Sequence, residues 1–327
     1  MSPVTLDPIG SQRGGSMLEL DPQIAKAIAS EPSRQVVAET LSMMRAASNK
    51  PSAPPSPGIE RQDYTVEGDP TVVIRVHRPT DAEGPLPAVY SMHGGGYVLG
   101  SYAIDDARLD GWAKSYDCIG VSVDYRLAPE TPYPGPLDDC YRGLKWVFDH
   151  HDELGIDPQR IAVSGTSAGS GLAAGLALLA RDRGEVPLRF QLLDAPMIDD
   201  RQQTPSSQRD DLVIFDRHSN EFGWRSYLGD LYGTPDVPAY AAPARATDLA
   251  GLPPTYICVG NVDGFRDDAI DFASRLNQAG VPAELHVYAG APHGVKRFVD
   301  VPVAQRYIGG INGWLGAQLQ ASSAQVI

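Results

Sequence analysis

The chain has 327 residues, of which 42% are hydrophobic and 21% are charged, a composition typical of a globular protein with a large core. Its net charge of −14 argues against a nucleic-acid partner or an anionic-membrane surface, because both require clustered lysine and arginine. The three cysteines form no C-x-x-C pair and are predicted to be buried free thiols, so we expect no metal site. Residues 1–15 lack a signal-peptide pattern and eighteen apolar residues nowhere run together, so we expect a cytoplasmic protein without stable membrane association.

The N-terminal region is predicted to be separate from the main domain. Two amphipathic helices are predicted between Met17 and Ala47, separated near residues 31–33. A proline-rich linker follows at residues 50–58. We therefore assign residues 1–58 to N-terminal cap helices and linker, and residues 59–327 to the main domain.

Strand patterns alternate with helix patterns through the main domain. Strands are predicted at residues 64–66, 71–76, 86–92, 118–123, 160–164, 190–193, 255–259 and 284–288. Helices are predicted at residues 106–115, 137–150, 168–180, 266–277 and 302–318. This alternation predicts an α/β fold with a mostly parallel central sheet, flanked by helices, and ligand sites at the carboxyl ends of the strands. A polar insertion at about residues 200–248 interrupts it, and with the N-terminal helices is predicted to form a helical cap.

The segment Gly165-Thr166-Ser167-Ala168-Gly169 lies where a predicted strand passes into a predicted helix. A serine on such a sharp turn has an exposed hydroxyl, and small residues two before and two after it let strand and helix pass closely. The segment therefore predicts Ser167 as a nucleophile. The alternative is an ordinary glycine-flanked turn, and the presence of other parts of a catalytic site elsewhere in the chain decides between the two interpretations.

A run of glycines, His93-Gly94-Gly95-Gly96, follows directly on the predicted strand at residues 86–92. Consecutive glycines let backbone N–H groups face an oxyanion without obstruction by side chains. A phosphate-binding loop is the competing interpretation, but the run has neither the Walker lysine nor the G-x-G-x-x-G spacing. Only the oxyanion interpretation also uses Ser167.

A serine nucleophile needs a base, and His293 is the predicted one among seven histidines. A lone histidine is more often a core or surface residue. His293, however, stands in the loop Gly290-Ala291-Pro292-His293-Gly294, just after a predicted strand and C-terminal to Ser167.

Three carboxylates follow the predicted strand at residues 255–259. Asp263 lies in the loop, whereas Asp267 and Asp268 fall in the first turn of the next helix, where negative charge is expected. Asp263 is therefore the residue predicted to orient the imidazole. The chain order serine, aspartate, histidine is the order expected of an α/β-hydrolase.

These motifs make the chain similar to the hormone-sensitive-lipase family of carboxylesterases, from roughly Val73 to Leu315. The similarity also includes three further blocks, at residues 124–130 (DYRLAPE), 196–201 (PMIDDR) and 259–268 (VGNVDGFRDD). Many members have Asp before the nucleophile, so Thr166 places the chain nearer the GTSAG branch. Gly264 stands where the family often has Pro or Leu.

The resemblance implies an α/β-hydrolase fold and hydrolysis of short to medium acyl-chain carboxylic esters. Ser167 would be the nucleophile, His293 the general base and then acid, and Asp263 its orienting carboxylate. The oxyanion hole would be the backbone N–H groups of Gly94, Gly95 and Ala168. In the DYRLAPE block the family implies charged residues held in buried ion pairs. No cofactor is implied, the partner is a small-molecule ester, and a homodimer is an open expectation because dimers are common in the family.

Two other functions compete with this prediction. A non-catalytic small-molecule receptor of the same fold usually lacks a triad member, and this chain has all three. A lactonase or an amidase would use the same triad, so assay alone separates these activities. Tyr97, Phe222 and Trp224 are candidate walls of a substrate pocket, with plain core packing as the alternative.

Overall fold

The computed structural model describes residues 19–29, 35–48 and 52–321, and all elements below lie in these ranges. The strands are β1 Ile59–Val66, β2 Val72–Pro79, β3 Leu86–Met92, β4 Ile119–Asp124, β5 Ile156–Thr166, β6 Gln191–Asp194, β7 Thr255–Val262 and β8 Ala283–Pro292. The helices are α1 Pro22–Ile28, α2 Ala38–Ser48, α3 Asp106–Tyr116, α4 Gly135–Asp149, α5 His151–Leu154, α6 Ala168–Arg183, α7 Arg217–Leu228, α8 Arg266–Gln278 and α9 Pro302–Gln320.

The described strands form one sheet in the order β1-β2-β4-β3-β5-β6-β7-β8. β2 is antiparallel to both of its neighbours, and every other pair is parallel, which confirms the predicted mostly parallel sheet. Met92 pairs with Gly165, and Thr166 pairs with Asp194, so β3, β5 and β6 end at the same edge. The loops that follow these strands therefore meet there.

Helices cover both faces of the sheet, as expected for parallel strands. In the fully buried strand β3, Ala88 and Tyr90 belong to an apolar cluster that includes residues of α4 and α6. Val89, between them, belongs to a second cluster with residues of α3 and α9. Because successive side chains of a strand point to opposite faces, the core is two layers, one on each side of the sheet. The three cysteines are buried free thiols, as predicted.

A few element boundaries differ from those predicted. β5 begins at Ile156 instead of near residue 160, and β8 continues to Pro292 instead of ending near residue 288. Apart from Ile156, the added residues are polar, small or proline, which are not typical of strands, but pairing with β3 and β7 overrides this local preference. The sequence pattern does not predict α5, because four residues are too few to show a helical period.

The two regions expected to form a cap contact each other in the described part of the chain. α1 and α2 belong to the N-terminal region and α7 to the insertion at about residues 200–248. The N–H of Val36 donates to Ser219 Oγ on α7 at 2.9 Å. The break expected near residues 31–33 and the first residues of the chain lie outside the described ranges. No described helix is both long enough and apolar enough to cross a membrane.

Candidate active site

Residues 165–169 form a sharp turn between β5 and α6. Ser167 has φ 57° and ψ −119°, a strained backbone conformation for a residue other than glycine. A Cβ on Gly165 would lie 2.1 Å from the carbonyl oxygen of Gly169, and a Cβ on Gly169 would lie 2.1 Å from that of Met92. Only glycine fits at these two positions, so the turn has the geometry of a nucleophile elbow.

The structure brings the three predicted triad residues together from three strand ends. Ser167 Oγ lies 3.0 Å from His293 Nε2, and His293 Nδ1 lies 2.8 Å from Asp263 Oδ2. The other carboxylate oxygen of Asp263 accepts a hydrogen bond from the N–H of Phe265 at 3.0 Å, which fixes the carboxylate plane. These residues are 30 and 126 positions apart, so the fold alone creates the arrangement. It is that of a nucleophile, a base and an orienting group.

The glycine run after β3 lies beside the elbow. A Cβ on Gly94 would lie 2.9 Å from the carbonyl oxygen of Thr166 and 3.4 Å from Ser167 Cβ, and Gly95 has φ 133°, which favours glycine. Both glycines line the same cavity as Ser167. Ala168 occupies the first position of α6, and because its methyl side chain has no polar group it can contribute only through its backbone. The oxyanion role of the three N–H groups stays a prediction.

His93, which follows β3, has a structural role. Its ring stacks on Tyr125 with centroids 4.2 Å apart, and its Nδ1 lies 2.8 Å from the carbonyl oxygen of Gly94. A Cβ on Gly100 would lie 2.6 Å from the same Nδ1, so glycine is required there as well. Burial lowers the pKa of His93, which therefore remains neutral and holds the glycine loop in place.

A cavity of about 310 Å³ opens onto Ser167 and His293. Its walls are mainly apolar and include Val36, Met44, Leu99, Ile214 and Phe215. Arg297 is a cationic residue in the same lining. A small apolar cavity above a serine and an imidazole is suited to the apolar part of a small substrate.

Comparison with known proteins agrees with this geometry. A family model described as alpha/beta hydrolase fold matches residues 89–297, which include Ser167, Asp263 and His293. The chain belongs to this α/β-hydrolase family. Esterase LipI of Mycobacterium tuberculosis is 36% identical to the hydrolase over 287 residues, which cover 86% of this chain and 89% of that protein. Carboxylesterase NlhH of the same species is 36% identical over 299 residues, which cover 89% and 93%.

Solved structures of esterases also resemble the hydrolase over nearly its whole length. A bacterial heroin esterase superposes with a TM-score of 0.85 at 39% identity, over 92% of this chain and 98% of that one. Esterase LipW from Mycobacterium marinum gives a TM-score of 0.82 at 35% identity, over 93% and 97%. The resemblance to the hormone-sensitive-lipase family is confirmed, and the hydrolase is a carboxylic ester hydrolase.

Burial and charge act in opposite directions on the pKa of His293. Asp263 is 2% exposed and Ser167 is 4% exposed. Burial by itself lowers the pKa of His293, but the charge and hydrogen bond of Asp263, with a further contribution from Asp194, outweigh it and raise the pKa above its ordinary 6.5. The site therefore favours the protonated form of His293 relative to a free imidazole, as a general base beside Ser167 would require.

Two of the three aromatic residues considered as pocket walls are core residues. Tyr97 and Trp224 are fully buried, and Tyr97 stacks on Tyr227 with ring centroids 4.0 Å apart. Phe222 packs partly buried against the same core cluster. The aromatic residue that does line the cavity is Phe215, whose ring centroid lies 5.5 Å from that of His293. Sequence reasoning missed Phe215 as a pocket wall, because Phe215, Phe222 and Trp224 all lie in the same insertion and tertiary packing decides which of them is exposed.

The DYRLAPE block contains one ion pair to a buried carboxylate and one ion pair near the surface. Arg126 donates to both carboxylate oxygens of Asp139, whose side chain is fully buried, at 2.7 and 2.9 Å. Glu130 pairs with Arg45 of α2, but the Glu130 side chain is 62% exposed. Asp124 is also exposed. The expectation of buried pairs throughout this block is therefore wrong for Glu130 and Asp124, since Asp124 is the last residue of β4 and Glu130 lies in the loop beyond it.

Proposed function

We propose that the hydrolase cleaves short- to medium-chain carboxylic esters through an acyl-enzyme on Ser167. His293 removes the proton of the Ser167 hydroxyl as its oxygen attacks the ester carbonyl, and then donates that proton to the departing alcohol. A water molecule, deprotonated by the same imidazole, releases the carboxylic acid. Asp263 keeps the imidazole in the tautomer that presents Nε2 to Ser167.

The N–H groups of Gly94, Gly95 and Ala168 are the proposed donors to the tetrahedral oxyanion. Each donor aimed at that oxygen lowers the barrier by about 3 kcal/mol. The positions of these residues support the proposal. Gly94 and Gly95 line the cavity next to Ser167, and Ala168 directly follows Ser167 in the chain.

The acyl-chain preference follows from the size of the cavity. Its volume of about 310 Å³ is at the lower end of the range of about 300–1,000 Å³ found for small-molecule sites. Its apolar walls, which include Val36, Met44 and Phe215, favour an alkyl group over a polar one. An acyl chain of a few carbons fills such a space.

The observation that carries this proposal is the continuous contact from Ser167 through His293 to Asp263 at 3.0 and 2.8 Å. It is tested with a series of aryl esters of increasing acyl length, assayed with the wild type and with Ser167→Ala. We expect a maximum at short to medium chains for the wild type and loss of turnover in the variant. Ser164→Ala is the matched control, because this buried serine of β5 has no hydrogen-bond partner in the described chain and lies outside the cavity.

A fluorophosphonate probe separates the enzyme from a receptor of the same fold. The wild type should be labelled at Ser167, and Ser167→Ala should not be labelled. A wild-type protein that binds ester but is neither labelled nor active would support the receptor, and full activity of Ser167→Ala would overturn the assignment of the nucleophile.

A further inference from the structure

Thr166, the residue before the nucleophile, lies in a cluster of charges that the proposed mechanism does not use. Its Oγ1 lies 3.2 Å from Asp194 Oδ2, 3.0 Å from Arg108 Nη1 and 3.1 Å from Lys296 Nζ. A hydroxyl has one hydrogen to donate and two lone pairs to accept with. The Thr166 hydroxyl therefore donates to the carboxylate and accepts from both cations, which uses its whole hydrogen-bonding capacity. A carboxylate at this position would instead face Asp194 with a like charge.

Asp194 connects the cluster to the nucleophile through the backbone. Its carbonyl oxygen accepts the N–H of Ser167 at 2.8 Å, and its carboxylate, which is 2% exposed, accepts from Tyr307 Oη at 2.6 Å. The same carboxylate forms an ion pair with Lys296. Burial opposes ionisation of Asp194, but Lys296, Tyr307 and Arg108 outweigh it and hold its pKa below the ordinary 3.8. These contacts therefore favour the ionised form of Asp194.

Lys296 connects the cluster to the base. It lies three residues after His293, in the short 3₁₀ turn Val295–Arg297, and its side chain is 26% exposed. Its ammonium contacts both Thr166, on the elbow, and Asp194, at the end of β6. The loop that holds His293 is thereby joined to the two segments that hold Ser167.

We propose that Lys296 is a positioning residue of the esterase, which joins the His293 loop to the Ser167 elbow through Thr166 and Asp194. The inference rests on the proposed function, because it assumes that His293 is the base of Ser167. Lys296 itself does not line the cavity and is not proposed to contact substrate.

The Lys296–Asp194 pair also acts on the proton affinity of His293. The charges that act on the imidazole are those of Asp263 in the loop after β7, Asp194 of β6 and Lys296 of its own loop. The Ser167 hydroxyl contacts the ring, and Arg297 lies in the lining of the same cavity. Asp194 raises the pKa of His293 and Lys296 lowers it. Because the two charges act in opposite directions, removal of Lys296 raises the pKa of His293 and removal of the Asp194 charge lowers it.

The test is the pH profile of kcat/KM for Lys296→Met, Lys296→Arg and Asp194→Asn. Methionine keeps the length of the side chain and removes its charge, and arginine keeps the charge. The acid limb reports the pKa of the free enzyme's base. We expect the limb to move to higher pH in Lys296→Met and to lower pH in Asp194→Asn. In Lys296→Met we expect kcat to fall about tenfold, since a small displacement of the base is costly, with KM changed less than about twofold.

Controls separate this role from general loosening of the fold. Lys296→Arg should restore most of kcat and the wild-type pH profile. Lys145→Met removes a lysine from an exposed pair with Asp149 and should change neither kcat nor the pH profile. If Lys296→Met does not fold, as judged by circular dichroism, Lys296→Arg and Asp194→Asn decide the question, and an unshifted acid limb in folded Asp194→Asn overturns the proposal.

The outcomes also distinguish this inference from the proposed function. If the wild type hydrolyses no ester and is not labelled by the fluorophosphonate, the proposed function is wrong, independently of the results for the Lys296 variants. If the wild type is labelled and active but Lys296→Met keeps its kcat and its acid limb, the positioning role alone is wrong. Acid limbs that move in the same direction in Lys296→Met and Asp194→Asn also overturn it, because opposite charges cannot have the same electrostatic effect.

Discussion

At His293, burial and charge have opposite effects on the proton affinity of one imidazole. Charge prevails, so the pKa of His293 is raised above 6.5. Only the neutral imidazole can accept the proton of Ser167, and activity is therefore lost as pH falls through a value above 6.5. We expect the acid limb of kcat/KM to have its midpoint above pH 6.5, which a pH series with a short aryl ester measures. A midpoint below that value would show that burial prevails.

Asp263→Asn tests the source of that shift. The asparagine keeps the size of the side chain but removes the negative charge that faces His293 Nδ1 at 2.8 Å. The acid limb should therefore move to lower pH. The maximal kcat should fall on the order of 10⁴-fold, because the wrong tautomer of the imidazole is favoured. An Asp263→Asn enzyme within tenfold of the wild type would exclude Asp263 as the orienting group.

At Gly165, a single added Cβ atom is expected to disrupt the turn that holds Ser167. An added Cβ would lie 2.1 Å from a backbone oxygen of Gly169, which cannot move without displacing the start of α6. Gly165→Ala should lower the free energy of unfolding by about 3 kcal/mol and remove most of the activity. Gly111→Ala in α3 is the matched control, since nothing lies within 4 Å of its added Cβ, and it should be neutral or stabilise by up to about 1 kcal/mol. Urea unfolding of both variants gives the comparison.

At the scale of elements, Arg45 ties α2 to the main domain by hydrogen bonds, in addition to the apolar packing of Leu41 and Met44. Arg45 donates to the carbonyl oxygens of Val98 and Ala128, each at 2.8 Å, and to Glu130. The pair with Glu130 is exposed and contributes little, whereas the two carbonyl bonds are partly buried. Because Met44 of α2 lines the cavity, the position of this helix shapes the substrate site.

Arg45→Ala should therefore affect substrates that reach α2 more than those that do not. We expect KM to rise about fivefold for a medium-chain aryl ester and to change less than about twofold for the acetate, since loss of two or three hydrogen bonds is worth on the order of 1–3 kcal/mol. Glu130→Gln removes only the exposed charge and should leave both KM values within about twofold. Equal effects of Arg45→Ala on both esters would indicate that α2 does not touch the acyl chain.

The elements that hold the triad could be predicted because their signals are local. Ser167, Asp263 and His293 each follow a strand that the local sequence pattern predicts, and the carboxyl ends of parallel strands meet at one edge. The contact of Lys296 with Asp194 has no local signal, because the residues are 102 positions apart (296 − 194) and neither lies in a motif. Such a pair becomes visible only when the register of β5 and β6 is known.

At the scale of the whole molecule, the same limit explains the aromatic residues. Tyr97 directly follows the glycine run and Phe215 lies in a polar insertion, so local sequence favours Tyr97 as a pocket wall. In the fold, the Tyr97 hydroxyl donates to the carbonyl oxygen of Met197 at 3.0 Å and the residue is fully buried. Phe215, in contrast, lines the cavity. Whether a side chain lies in the core or lines the cavity depends on how the helices and the sheet pack together, and the residue's neighbours in sequence do not determine it.

The fold as a whole also contains a buried charged cluster far from Ser167 in sequence, which joins β1, β2 and α3. His77 is fully buried, with Nδ1 2.8 Å from Asp110 Oδ1. Arg61 of β1 pairs with Asp110 and with Asp106 at 2.6 and 3.0 Å. Burial lowers the pKa of His77 below its ordinary 6.5, although the two carboxylates oppose the shift. The unfolded chain therefore binds a proton at His77 more readily than the folded protein does.

This difference predicts how stability depends on pH. Because the unfolded state binds more protons at His77, its protonation destabilises the fold progressively as pH falls below 6.5. In His77→Gln the titration is absent, while the lost hydrogen bond to Asp110 costs about 1–3 kcal/mol at pH 7.5. The deficit of His77→Gln in urea unfolding should thus be smaller at pH 5.0 than at pH 7.5. His286→Gln on β8, a half-exposed position, should cost less than about 0.5 kcal/mol at pH 7.5. A deficit of His77→Gln that grows on acidification would mean that the carboxylates, and not burial, set the proton affinity of His77.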